Sequence, residues 1–169
     1  MGAKLELRQA IPPHSTPTSD RSWDGPANER RLREGESPSY YRRAYAWQDP
    51  TQDGTAKAHY RFIHHEVDAD GTIGPANIQA CITGIAVLNG ARGVNVAAQP
   101  WAKDRRAIYE HLAKHIRDAG REPPELRDLD EIASETERRV FTPDQLEIRA
   151  AEGEDGRPKI VGYAAVFNQ

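Results

Sequence analysis

Lys57-Ala58-His59-Tyr60-Arg61-Phe62-Ile63-His64-His65-Glu66-Val67-Asp68-Ala69-Asp70-Gly71-Thr72-Ile73-Gly74-Pro75 runs from a period-two pattern into a helical one, and that change makes the chain α+β. From Lys57 to Val67 alternate residues share a face. His59, Arg61, Ile63 and His65 fall on one side and Tyr60, Phe62 and His64 on the other, which predicts a strand with neither face cleanly apolar. Asp68-Ala69-Asp70-Gly71 is a turn leading to a short strand at Thr72–Ile73. Gly74-Pro75 then opens a helix whose Ile78, Ile82, Ile85 and Leu88 make one buried stripe, closed by Asn89-Gly90 in the left-handed manner.

Working outward, the aromatic segment Tyr40 to Trp47 pairs with the Lys57–Val67 strand across the turn-rich loop Asp49 to Gly54. Asp24 caps a helix that Pro26 opens, running through Arg33 and stopping near Gly35. After the loop at 91–100, a long helix runs from Trp101 to Ala119. Ile108, Leu112, Ile116 and Ala119 face inward and Lys103, Arg106, Glu110, Lys114 and Arg117 face water.

The expected organisation has four parts. Residues 1–21 are a flexible arm broken by Pro12, Pro13 and Pro17. Residues 22–120 are a small α+β domain with a short antiparallel hairpin sheet and about three helices. Residues 121–136 are a charged linker containing Pro123-Pro124, with Ser134 and Glu137 as a helix-capping box. Residues 137–169 are an extended β-like region: Leu146 to Ala150 and Ile160 to Phe167 are strand-like, the latter apolar on both faces and short of neighbours, as if a sheet had been started and left unfinished.

Composition narrows the functions. The 169 residues carry 37% hydrophobic and 29% charged side chains with a mean hydropathy of -0.80, so much of the chain is expected to be surface or tail. A net charge of -3 argues against a general nucleic-acid binder. No apolar run approaches the roughly 18 residues of a membrane span, and Met1 to Ala10 lacks the apolar core of a secretory signal. Cys81, the single cysteine, reads as a buried small hydrophobe.

Each chemical constellation lacks a member. His111 and His115 have the i,i+4 spacing of a metal pair, but no third histidine or carboxylate stands beside them in the sequence pattern. They are expected to be surface or half-buried helix residues, with no metal and no cofactor. His64-His65-Glu66 is not a zinc-protease helix, since its second histidine is missing and the segment reads as strand. Asp68-x-Asp70-Gly71 starts like a calcium loop but has Ile73 and Gln79 where glycine and glutamate are needed. Ser15, Ser19, Ser22, Ser37 and Ser39 lie in arm or loop, and there is no G-x-S-x-G elbow. Arg30-Arg31-x-Arg33 and Arg42-Arg43 either touch an acidic partner or are solvated faces among Glu29, Glu34 and Glu36.

The C-terminal runs Glu137-Arg138-Arg139-Val140-Phe141, Leu146-Glu147-Ile148-Arg149 and Ile160-Val161-Gly162-Tyr163-Ala164-Ala165-Val166-Phe167-Asn168 resemble the beginning of an HK97-type phage prohead protease, whose fold is similar to herpesvirus assemblin. The resemblance makes 137–169 the incomplete start of a protease-like β domain. The serine, histidine and acidic partner of that family lie downstream of this strand, so no catalytic residue carries over. Trp23-Asp24-Gly25-x-Ala27, Asp70-Gly71, Gly90-Ala91-Arg92-Gly93 and the Arg105–Leu112 helix are similar to a domain found beside head-maturation proteases and Mu-like capsid proteins.

The resemblance implies a non-catalytic, capsid-associated minor structural protein of a bacteriophage. It would bind the major capsid protein, with copies of itself around a symmetric position, in a virion assembled in the host cytoplasm. Membrane is not an expected partner, nor is nucleic acid. Contact is expected through Trp23, Arg30, Arg31, Tyr40, Tyr41, Arg138, Arg139, Phe141, Tyr163 and Phe167. The alternatives are a fragment of an active maturation protease that continues past Gln169, and a scaffolding factor of immature heads.

Overall fold

The computed structural model describes residues 9–138, 149–152 and 158–161. The chain divides into two compact units, Met1–Ile132 and Ala133–Gln169. The first is a mixed α+β domain, as the sequence predicts.

Its helices follow the capping residues. In α1 (Gly25–Arg31) the Asp24 carboxylate accepts the Ala27 N–H at 2.9 Å and Pro26 sits in the first turn. The helix ends before Gly35 because Leu32 turns into extended backbone and buries its side chain. A single turn, α2 (Pro38–Tyr41), leads to β2 (Tyr45–Gln48), which pairs antiparallel with β3 (Tyr60–Ile63) as the expected hairpin.

The predicted strand to Val67 does not run through. Phe62 takes a left-handed backbone (φ 65°), and the chain leaves one sheet for another at His64. The His64 N–H donates to Ala44 O at 3.0 Å, and its carbonyl accepts the Asn77 N–H at 2.8 Å. Beyond this joint, β4 (His65–Val67) pairs antiparallel with β5 (Ile73–Asn77), and β1 (Thr18–Ser19) pairs parallel with the other edge of β5. The turn between β4 and β5 is the predicted one, with the Asp68 N–H on Thr72 O and the Gly71 N–H on Asp68 O.

Gly74-Pro75 lies within β5 and opens no helix. Proline is tolerated there because the β4–β5 register shifts between His65 and Val67, leaving no ladder donor to lose. Helix α3 (Ile78–Leu88) starts instead from Asn77, whose Oδ1 accepts the Ala80 N–H at 3.0 Å. Its buried line is Ile78, Cys81, Ile85 and Leu88, with Ile82 only partly buried. It packs on α4 (Arg105–Asp118) through Ile108, Leu112 and Ile116. Gly84 permits the close approach, since a Cβ there would lie 2.7 Å from Leu112 Cδ1. Each of these large aliphatic side chains contributes about 1.5–3 kcal/mol by leaving water. The Cys81 thiol, pushed up to about 12 by burial, is part of this core, as its apolar setting predicts.

Two expectations about flanking segments are corrected. Residues 9–19 are not a free arm: Ile11 donates to Ala46 O at 2.9 Å, Gln9 O accepts from Gln48, and Ala10 and Ile11 are buried. The prolines that rule out a helix are compatible with this extended path. The charged linker holds α5 (Leu129–Arg138), and Ser134 lies inside it, not at its cap. In the second unit β6 (Arg149–Glu152) and β7 (Pro158–Val161) form an antiparallel pair. The expected strand at Leu146 to Ala150 overlaps β6, and residues 162–167 of the other lie outside the described residues. Among the described residues no single helix is long and apolar enough to cross a membrane.

Candidate metal centre

The sequence has six histidines, and five of them converge at one place in the first unit: His14, His64, His65, His111 and His115. They come from three separate parts of the chain. His14 lies on the N-terminal segment just before β1. His64 and His65 form the joint between the two sheets. His111 and His115 lie one turn apart on α4. His59 stands elsewhere, with Nδ1 3.3 Å from Asp53.

Local backbone explains the convergence. In a regular strand His64 and His65 would point to opposite faces. The left-handed turn at Phe62 and the change of sheet bring both to the same side, with ring centres 4.6 Å apart. His111 and His115 follow Ile108 and Leu112 by three residues each, so they extend the buried face of α4. Both are 0% exposed, as is His64, and His65 is 2% exposed. The expectation of surface or half-buried helix histidines without a third partner is therefore overturned.

The ring nitrogens are sorted into outward and inward sets. Nδ1 of His64 faces Phe62 O at 3.0 Å, Nδ1 of His65 faces Gly74 O at 2.7 Å, and Nδ1 of His111 faces Ile11 O at 2.7 Å. A carbonyl only accepts, so each Nδ1 carries the proton and each Nε2 presents a lone pair. Nε2 of His65 lies 3.3 Å from Nε2 of His14. Nε2 of His64, Nε2 of His111 and both nitrogens of His115 are buried with no protein hydrogen-bond partner. An unsatisfied buried polar atom costs about 1–3 kcal/mol, so four in one cluster call for a physical explanation.

Burial holds all five rings neutral at pH 7. It lowers His65 and His111 to about 4 and His115 to about 3, puts His64 well below its ordinary value and lowers His14 as well. Mutual repulsion within the cluster acts in the same direction. Neutral imidazoles with Nδ1–H fixed on carbonyls and Nε2 free are in the protonation state that ligates a transition metal. Within the cluster, the ligand atoms of His14, His111 and His115 lie within 4.8 Å of one another, and so do those of His64, His65 and His115.

Comparison with family models, curated proteins and solved structures finds no match. The chemistry of the site thus rests on its own geometry.

The residues expected at a capsid contact scatter. Tyr40 and Tyr41 are core side chains, with hydroxyls donating to Gly71 O at 2.6 Å and Arg33 O at 2.8 Å, so neither is available to a partner. Arg31 is exposed and donates to Val67 O at 3.2 Å, Arg30 is exposed, and Trp23 lines an open cleft of about 1110 Å³ with Phe62 and Trp101. Arg138 is at the end of α5, and Arg139, Phe141, Tyr163 and Phe167 lie outside the described residues. None of the described ones belongs to the histidine cluster.

Proposed function

We propose that the first unit is a transition-metal-binding module in which a divalent ion fastens the N-terminal segment to the sheet joint and to α4. One observation carries this reading: five histidines from three chain segments meet at one place, and three of them, His64, His65 and His111, have Nδ1–H held by a backbone carbonyl so that Nε2 presents its lone pair. A ligated ion would give the inward nitrogens their partner, and it needs no protons displaced from rings that are already neutral. The module would be structural, because its ligands tie together segments about fifty and a hundred residues apart, and ion binding would add directly to folding free energy.

Metal analysis of the full chain, purified without a histidine tag, tests the reading together with thermal melts before and after chelation. Retention of about one equivalent of a first-row ion and a lower melting temperature after its removal are expected. A chain that takes up no ion from a series of divalent metals, and melts identically with and without them, overturns it.

A second reading, that this chain is a capsid-associated protein of a phage head, is supported by the C-terminal run ending Gly162-Tyr163-Ala164-Ala165-Val166-Phe167-Asn168. Its partner would be the major capsid protein, and the metal module would then be a rigid body presented on the shell. Co-sedimentation of the purified chain with proheads or mature capsids supports this reading, and a chain that stays in the supernatant removes it.

A further inference from the structure

Resting on the metal-binding reading, the geometry points to a single divalent ion held by all five imidazoles in a square pyramid, with His115 at the apex and the position opposite His115 taken by water or a small exogenous anion. The ring centres define this figure. His14 and His64 are 6.5 Å apart, and each is closer to the other three rings: 5.3, 5.0 and 5.0 Å from His14 to His65, His111 and His115, and 4.6, 4.8 and 5.1 Å from His64 to the same three. His115 is 5.5 Å from His65 and 5.2 Å from His111. Triangulating from these distances puts His65 and His111 on opposite sides of the plane through His14, His64 and His115, roughly 7 Å apart.

The midpoint between His14 and His64 is then nearly the midpoint between His65 and His111, and the two lines cross almost at right angles. His115 stands perpendicular to both. All five ring centres lie roughly 3–4 Å from that point, where an imidazole bound at about 2.0–2.1 Å places its ring centre about 3.2 Å from the ion. Contraction of a few tenths of an ångström would close the set on an ion. The one direct nitrogen–nitrogen contact agrees: neighbouring ligands at a right angle are about 3 Å apart, and Nε2 of His14 and Nε2 of His65 are separated by 3.3 Å. The two close triads fit as well. They share only His115, and the remaining members form adjacent pairs of the square base.

A tetrahedral ion would use four of these rings and leave the fifth buried without a partner. A square base of nitrogens instead favours Cu(II) or Ni(II) over Zn(II). Among the described residues no carboxylate or thiolate joins the histidine groups, so the ion's charge is not neutralised by its protein ligands. Arg43 adds positive potential at His65 and Lys114 at His14, while Asp118, paired with Lys114 at 2.7 Å, acts with the opposite sign on His115. A low-dielectric pocket of that charge recruits an anion to the sixth position, hydroxide or a small anion of similar size.

The test uses the full chain, freed of metal and reloaded separately with Cu(II), Ni(II), Co(II) and Zn(II). One ion per chain is expected, with Cu(II) giving an axial paramagnetic spectrum split by several nitrogens and Co(II) giving the weak visible bands of five- or six-coordination. Azide should shift the Cu(II) spectrum in a saturable way. Intense tetrahedral Co(II) bands, two ions per chain or a spectrum indifferent to azide would each overturn the assignment while leaving metal binding itself intact. Absence of any bound ion would instead sink the underlying reading.

Discussion

Lowering the pH from 7 to 5 should destabilise the metal-free chain steeply, and the size of the effect follows from the histidine cluster. His65 and His111 bind a proton near pH 6.5 in the unfolded chain but only at about 4 in the folded one, chiefly because burial disfavours the charged ring. Below 6.5 the unfolded state therefore holds more protons, and folding stability falls with pH. The contribution is complete above about 6.5 and is lost progressively down to about 4. Between pH 7 and pH 5 each of these two rings costs about 2 kcal/mol, or about 4 kcal/mol together. His64 and His115 act in the same direction. A domain of this size has about 5–15 kcal/mol in all, so the melting temperature should drop by roughly 10–20 °C. The carboxylates of Asp20, Asp49, Asp53 and Asp70 are shifted below their ordinary range, so they lose stabilising charge only at still lower pH and do not blur the window. Circular-dichroism melts in a chelator from pH 7 to 5 measure the drop. A melting temperature that stays level across that range refutes the picture of neutral rings gathered in a dry cluster.

Three other perturbations separate the parts of the argument. His14→Ala should weaken metal affinity by about 10–100-fold or more in competition with a chelator and raise amide exchange at residues 10–19, whereas unchanged affinity would remove His14 from the ligand set. Asn77→Ala deletes the cap on Ala80 together with bonds from Nδ2 to Arg21 O and Glu66 Oε1, so about 2–3 kcal/mol of stability should go, read as a shift of the denaturant midpoint. A cost below about 0.5 kcal/mol would mean that water replaces those bonds. Tyr41→Phe should cost about 1 kcal/mol through loss of the bond to Arg33 O and leave capsid co-sedimentation, where it occurs, untouched; loss of co-sedimentation in a stably folded variant would put Tyr41 back at the contact.

Much of the fold was legible because its signals are local. Asp24 with Pro26, the Asp68–Gly71 turn, Asn89-Gly90 and the spacing of Ile108, Leu112 and Ile116 each act within a few residues, and each lies where the pattern puts it. The start of α3 was misplaced because proline is as compatible with a bulged strand as with a first helical turn, and only the pairing of β5 with β1 and β4 decides between them. The site was legible in one half only. His111 and His115 fall three residues after Ile108 and Leu112, which marks them as part of the buried face. Their partners gave no such signal: His14 sits among prolines that look like an arm, and strict alternation separates His64 from His65.

Phe62 accounts for the last of these, the pairing of His64 with His65. A bulky residue with φ of 65° costs about 1–3 kcal/mol, and its side chain still packs against the core, in edge contact with Trp101. Glycine would adopt that backbone without strain but would forfeit the ring's contact with Trp101 and the core. The turn at Phe62 does two things that a regular strand cannot. It directs the Phe62 carbonyl onto Nδ1 of His64, and it hands the chain to the second sheet so that His65 follows His64 into the same pocket. The strain sits where the ligand geometry is set, two residues before the first histidine of the pair. Four buried nitrogens without a protein partner add a second unfavourable term at the same place. A third body at the centre of the rings would give a partner to three of those nitrogens, one each on His64, His111 and His115, at the place where the backbone strain also sits. That coincidence, more than the number of histidines, is the physical case for a metal site.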